Sequence, residues 1–266
     1  MLSRRRMAAN ERSVISRVSA ILNLFGEHKP LIGIEEIAQA LEISPASAYR
    51  YAADLVQAGL LSRLSGRYRL GLKIIELEYL ISTCDPIIAA AHQPMEALAR
   101  ASGANVLLCN MYDSTLVNVA HVTAGQRPVH VRYTKGLPMP LFRGSQARVV
   151  LAYMERRRLR RLYDAAQHDP QTAADAHALG AGWRDFTRAL RAIRKQGYYI
   201  SRGELDAGIT GIAAPVFGVQ EEILGSLVLV TDAAAPPPLL PEAALVEQVM
   251  QSAHQLSQRI GELADA

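Results

Sequence analysis

The stretch Ile37-Ala38-Gln39-Ala40-Leu41-Glu42-Ile43-Ser44-Pro45-Ala46-Ser47-Ala48-Tyr49-Arg50-Tyr51 decides the reading of the N-terminal part of the chain. Ile34, Ile37, Ala38 and Leu41 share one face of a short helix, a tight break follows at Glu42-Ile43, and a second helix opens at Ser44-Pro45. Ser44 suits the N-cap, and Pro45 suits the first helical position, where a missing N–H costs nothing. That helix covers 46–58 and stops at Gly59. Upstream, Val14, Val18, Ile21, Leu22 and Phe25 recur at helical spacing up to Gly26. Downstream, 60–64 and 67–70 read as strands about a Ser65-Gly66 turn. Three helices and a hairpin predict a winged helix-turn-helix.

Such a module lays its second helix in the major groove of duplex DNA, with the N-terminal residues toward base edges. Those residues are Ser44, Ala46, Ser47, Tyr49 and Arg50. Hydroxyls and helix N–H groups suit phosphates, and Arg50 can pair bidentately with guanine. Arg63, Arg67 and Arg69 lie on or beside the wing, and Arg4, Arg5 and Arg6 form a short basic arm. A protein-binding winged helix, with Tyr49 or Tyr51 in its core and a solvated arm, is the alternative reading.

The remainder reads as α+β. Residues 72–102 carry two apolar stripes with a break at Asp85-Pro86 and a kink or restart at Pro94. Their length predicts a connector that also offers a dimer surface. Strands are expected at 105–112, 115–122 and 129–133, and helices at 144–154, 155–166 and 183–196. Three more strands follow at 198–202, 208–217 and 223–231, then a helix over 241–264. Blocks of strands and helices with hairpins predict a mostly antiparallel sheet.

Composition narrows the class. The 266 residues are 50% hydrophobic and 20% charged, which excludes a disordered, collagen-like or disulfide-scaffold protein. The net charge of +4 permits nucleic-acid contact without demanding it. All but four of the 29 basic residues are Arg, so Arg abundance alone names no partner. Cys84 and Cys109 cannot build a disulfide framework and read as reduced and structural. No leader pattern or long apolar run is present, so the expectation is a cytoplasmic protein with no membrane contact.

The helix-turn-helix run resembles that of the IclR family of bacterial transcriptional regulators, and Tyr68-Arg69-Leu70-Gly71 is similar to that family's wing-to-linker signature. Gly197-Tyr198, Gly203-Glu204, Gly208-Ile209 and Ile212-Ala213-Ala214-Pro215-Val216 resemble its effector-domain signature. The resemblance implies a winged helix-turn-helix over 1–71, a linker helix over 72–85, and a GAF-like effector-binding and oligomerisation domain over 86–266. It also implies a homodimer or homotetramer on a palindromic operator in double-stranded DNA.

The implied pocket lies between the sheet and its covering helices. The segment 137–147 runs from an extended stretch into a helix beginning near Gly144. A helix N-terminus favours a carboxylate, Arg143 can clamp it, and Ser145 and Gln146 follow at once. Asn105 and Leu107 lie on the first strand, and Glu204 is a further polar lining residue; Asp206 reads as a solvated loop and Cys109 as core. Departures from the family pattern are Ala46 in place of Lys, Phe142 in place of His, and Ala147-Arg148 in place of Gly-Lys. Ser201, Gly211, Val228 and Val230 also replace more polar or reactive residues. Fewer polar groups imply a larger or more apolar effector, an aromatic or branched carboxylic acid.

No phosphate-binding loop, dinucleotide fingerprint, zinc spacing or nucleophile elbow is found, so no cofactor, metal or catalytic set is assigned. The basic run Glu155–Leu162 reads as a solvated helix face, with a second DNA footprint as its alternative. An α+β enzyme with a regulatory helix-turn-helix head remains the competing function.

Overall fold

Ser13 starts the first helix of the computed structural model, its hydroxyl accepting the Ser16 N–H. The structure describes residues 13–123, 132–234 and 238–263. The Arg4–Arg6 arm lies outside these. The N-terminal unit holds α1 (Val14–Leu22), α2 (Ile34–Leu41), α3 (Pro45–Gln57), β1 (Leu61–Leu64) and β2 (Arg67–Leu70). Glu42 adopts a left-handed conformation (φ 53°) that ends α2, and Ser44 caps α3 ahead of Pro45. Ala48, Ala52 and Leu55 recur at helical spacing and bury one face of α3 against Ile37, Ala38, Ile21, Leu61 and Tyr68. Ser65 and Gly66 both take positive φ, as a two-residue type I′ hairpin turn requires. At Gly71 any side chain is excluded, because a Cβ would stand 2.0 Å from the Gly59 carbonyl oxygen.

Helix α4 (Leu72–Cys84) buries none of its residues, and Leu72, Ile75, Leu77, Tyr79, Leu80 and Ile81 are exposed. Packing divides the chain within it, between Ile81 and Ser82.

In the second unit Asp85 caps α5 (Pro86–Ser102), accepting the Ile87 and Ile88 N–H groups at 2.9 and 3.0 Å. The helix runs through Pro94 without the expected restart, since buried Ala91, Met95, Leu98 and Ala99 hold both flanking turns on the sheet. The sheet has six antiparallel strands in the order β5-β4-β3-β8-β7-β6. These are β3 (Asn105–Tyr112), β4 (Thr115–Val122), β5 (Pro138–Met139), β6 (Tyr199–Arg202), β7 (Ile209–Phe217) and β8 (Ile223–Asp232). The expected strand at 129–133 is not seen in its described part: Arg132 and Tyr133 are bends, and the edge strand is Pro138-Met139.

Alternation along β3 and β8 serves two cores. Val106, Leu108, Leu227 and Leu229 face α5 and the final helix, α10 (Glu242–Glu262). Leu107, Cys109, Val228 and Val230 face α6 (Ser145–Tyr153), α7 (Arg156–Ala166), α8 (Pro170–His177) and α9 (Trp183–Gln196). Helix α8 was not expected from the sequence, although Asp169-Pro170 is a cap-and-proline start. Burial pushes the Cys109 thiol up to about 12, which keeps it a neutral core group. Among the described residues no helix is long and apolar enough to cross a membrane, and no cluster of His, Cys, Asp and Glu suits a metal ion.

Glu36 ties α2 to the wing. Its carboxylate faces Lys29 Nζ at 2.8 Å and Arg67 at 3.3 Å and accepts the Gly33 N–H at 2.6 Å. The Lys29 hydrogen bond, then that from Gly33, hold its pKa down at about 2, against an ordinary 4.5. A depressed folded-state pKa adds stability that is complete above pH 4.5 and is lost as pH falls toward 2. Glu36→Gln is therefore expected to lower urea stability at neutral pH, with the deficit shrinking across that acid window. A deficit independent of pH contradicts the assignment.

Candidate functional site

The first surface is the outward face of α3. Ser44, at its N-cap, accepts the Ser47 N–H at 3.3 Å, and the two hydroxyls lie 3.1 Å apart. Ala46, Tyr49 and Arg50 are exposed, Tyr49 by 52%, so Tyr49 is not a core residue. Tyr51 is half-buried, accepts a hydrogen bond from Arg17 at 2.7 Å and carries the Arg17 guanidinium over its ring. The strand register places the wing arginines on opposite faces. Arg63 pairs across from Tyr68 and lies over its ring at 5.7 Å, whereas Arg67 and Arg69 point the other way. Arg67 is held by Glu36 and the Leu31 carbonyl, which it meets at 2.9 Å. Arg50 and Arg69 are exposed and make no ion pair among the described residues.

The second is a small cleft between the sheet and α6. Leu107, Val228, Val230, Ile209, Leu205 and Tyr133 form its apolar walls, and Asn118, Ser145, Gln146, Ser201 and Asp206 its polar groups. Ser145 and Ser201 are both buried and flank Gly211, where a Cβ would stand 2.7 Å from Ser145 Oγ and 3.2 Å from Ser201 Oγ. Gln146 donates to Asn118 Oδ1 at 2.7 Å, and Asn118 donates to the Tyr133 carbonyl at 2.7 Å. Asp206 accepts the Arg132 N–H at 2.9 Å, so it stands at the cleft as well as in its loop.

An ion pair between buried Arg148 and half-buried Glu204 fixes the start of α6. The Gly144 N–H donates to Glu204 Oε2 at 3.0 Å, and Glu204 Oε1 lies 3.0 Å from an Arg148 nitrogen. Tyr199 donates to Glu204 at 3.1 Å, accepts from Arg148, and carries the Arg148 guanidinium over its ring at 5.0 Å. Burial, ahead of the neighbouring charges, raises the Tyr199 pKa and keeps the phenol protonated. The chain thus supplies its own carboxylate to the first donor of this helix. The N–H groups of Ser145, Gln146 and Ala147 have no acceptor within the helix, and Ser145 and Gln146 line the cleft.

Of the residues expected at a pocket, Leu107, Ser145, Gln146, Ser201, Gly211, Val228 and Val230 line this cleft. Asn105, Phe142, Arg143, Gly144 and Glu204 do not. Asn105 is buried beside Val230 in the strand register, and Phe142 is buried with its ring 5.9 Å from Phe186. Arg143 turns to Asp175 at 3.7 Å, and Glu204 to Arg148. Asn118, Tyr133, Leu205 and Ile209 were not expected there. Asn118 had a signal: it shares the inward face of β4 with buried Leu116, and a polar residue there breaks an apolar alternation.

The model of the bacterial transcriptional regulator IclR C-terminal domain matches residues 80–258, and that of the IclR helix-turn-helix domain matches 14–65. The chain belongs to the IclR family. It is 27% identical to the HTH-type transcriptional regulator KipR of Bacillus subtilis (strain 168), covering 95% of this chain and 98% of that protein. An IclR transcriptional regulator from Silicibacter sp. TM1040 superposes with a TM-score of 0.74 at 22% identity, over 94% of this chain and 96% of its own. An IclR homologue from Microbacterium hydrocarbonoxydans, solved in complex with 4-hydroxybenzoate, superposes at 0.70 and 19% identity, over 93% and 99%. The protein is a transcriptional regulator with a DNA-binding helix-turn-helix and an IclR C-terminal domain.

Within this IclR domain Gly211 is required by its neighbours. Gly211→Ala is expected to cost about 1–3 kcal/mol by overpacking. Removing the hydroxyl it meets, in Gly211→Ala/Ser145→Ala, is expected to restore much of that in urea unfolding. Additive losses contradict the contact.

Proposed function

We propose that this regulator reads a palindromic operator with α3 and the wing, and that a small organic carboxylate in the cleft alters its hold on DNA. The observation that carries the DNA reading is the outward face of α3, where Ala46, Tyr49 and Arg50 stand clear of the core behind the Ser44-Ser47 start. Arg50 contacts a base edge or phosphate, while Ser44, Ser47, Arg63 and Arg69 position the helix. Ala46 supplies no charge, so Arg50 carries more of the contact. Arg67 contributes less, since Glu36 already holds it. The apolar residues exposed along α4 suit a two-fold homodimer, or a tetramer of two such dimers, matching a palindrome.

The cleft supports effector binding. Ser145, Gln146 and Ser201 and the free N–H groups of α6 would hold a carboxylate, with Leu107, Val228, Val230 and Tyr133 against an apolar or aromatic body. The 4-hydroxybenzoate complex of the Microbacterium homologue supports an aromatic acid. Coupling is reciprocal: an effector that favours one arrangement of the reading heads changes operator affinity by the factor by which operator changes its own. The match to families and relatives of transcriptional regulators supports a regulator without enzymatic activity, working in the cytoplasm.

The test is a binding titration of operator and unrelated duplex. Arg50→Ala is expected to lose about 1–3 kcal/mol of operator affinity while its binding to unrelated duplex changes little. Equal losses on both, or none, contradict base reading. In the same assay, aromatic carboxylates are expected to shift the operator curve; a response only to glyoxylate-sized acids contradicts the cleft assignment.

A further inference from the structure

The electrostatics of α7 work against the helix they sit on. Arg156, Arg157 and Arg158 occupy its first turn, at the positive end of the helix dipole, where cations are unfavourable. Arg156 and Arg160, and Arg157 and Arg161, are like-charged pairs at i,i+4, which destabilise a helix further. Packing demands none of this, because the buried face is Leu159, Tyr163 and Ala166. Two of the five arginines have structural partners: Arg158 donates to the Asp113 carbonyl, and Arg160 pairs with Asp164 at 2.8 Å above the Trp183 ring. Arg156, Arg157 and Arg161 are exposed and form no ion pair among the described residues. The carboxylate of neighbouring Glu155 accepts the Arg157 and Arg158 backbone N–H groups at 2.8 and 3.0 Å and also attracts the Arg157 and Arg161 guanidiniums, so one acid offsets part of the charge of the three exposed arginines. Glu155, Arg156, Arg157, Arg160, Arg161 and Trp183 line one open groove.

We infer that this groove is a second polyanion site, which takes the phosphodiester backbone of DNA flanking the operator. Guanidiniums that cost the helix stability are relieved by an anion with several charges, and their i,i+4 spacing repeats about every 6 Å along the helix, which suits a polymer rather than a single ion. Duplex held by the reading helix is at high effective concentration for the rest of the same chain. The indole already carries the Arg160 guanidinium and stacks with Phe186, so the site is assigned to the phosphodiester backbone, without sequence preference, and not to the bases. The inference rests on the DNA-reading assignment.

The experiment compares the full chain with its Arg156→Gln/Arg157→Gln/Arg161→Gln variant on two duplexes, the bare operator and the operator extended by several helical turns at each end. On the extended duplex the slope of log affinity against log salt is expected to flatten by about 2.7 for each protomer bound, about 5 for a dimer, at about 0.9 for each phosphate that is no longer neutralised. On the bare operator the two proteins are expected to match, and the corresponding triple Lys variant is expected to keep the wild-type slope. Equal slopes for both proteins on the extended duplex overturn the inference. So does capture of polyglutamate, dependent on these arginines, with no effect on the DNA slope, since the partner is then an acidic protein. Failure of both proteins to hold the bare operator overturns the reading assignment instead.

Discussion

One ion pair, between buried Arg148 and half-buried Glu204, organises the larger unit. Arg148, 7% exposed, and Glu204 join the first turn of α6 to the loop that follows β6, and Glu204 also takes the Gly144 N–H. A charge taken from water is costly unless paired and hydrogen-bonded. Here each partner meets the other, Tyr199 bridges the two and the helix dipole favours the carboxylate, while Arg148 Nε stays buried without a hydrogen-bond partner among the described residues. The constraint extends to the cleft. Leu205 and Asp206 follow Glu204 directly, and Ser145 and Gln146 follow Gly144, so the pair holds both walls in register.

That arrangement alters what the cleft can accept. A carboxylate expected from the chemistry of a helix N-terminus is already present, provided by the protein. A second anion must use the next N–H groups and the Ser145 and Ser201 hydroxyls, beside an acid, Asp206, at the same cleft. Arg143 gives no help, since it is turned to Asp175. The cleft is thus a hydrogen-bonding site against apolar walls, and the cations nearest in sequence serve the fold.

The reading module was legible from residue order because its determinants are local. Ser44-Pro45 starts α3, Ala48, Ala52 and Leu55 bury it, and Ser65-Gly66 turns the wing. The sheet was legible for a related reason: the near-continuous apolar runs of β3 and β8 mark strands covered on both faces. Pro138-Met139 escaped notice because two residues carry no period, and α8 because Pro170–His177 is short and mostly polar or small. The cleft lining departs from the expected residues for a different reason. Phe142, Arg143 and Glu204 lie beside lining residues in sequence, but their directions depend on Phe186, Asp175 and Arg148, distant partners that local pattern does not reveal.

The most direct test of this account is a double-mutant cycle on Arg148→Met and Glu204→Gln, followed by urea unfolding. If the pair organises the cleft, Glu204→Gln strands the buried Arg148 charge and costs about 3 kcal/mol, Arg148→Met strands the half-buried Glu204 and costs less, and the double variant costs far less than the sum. Losses that add to within about 0.5 kcal/mol would mean the two side chains act independently, contradicting the account.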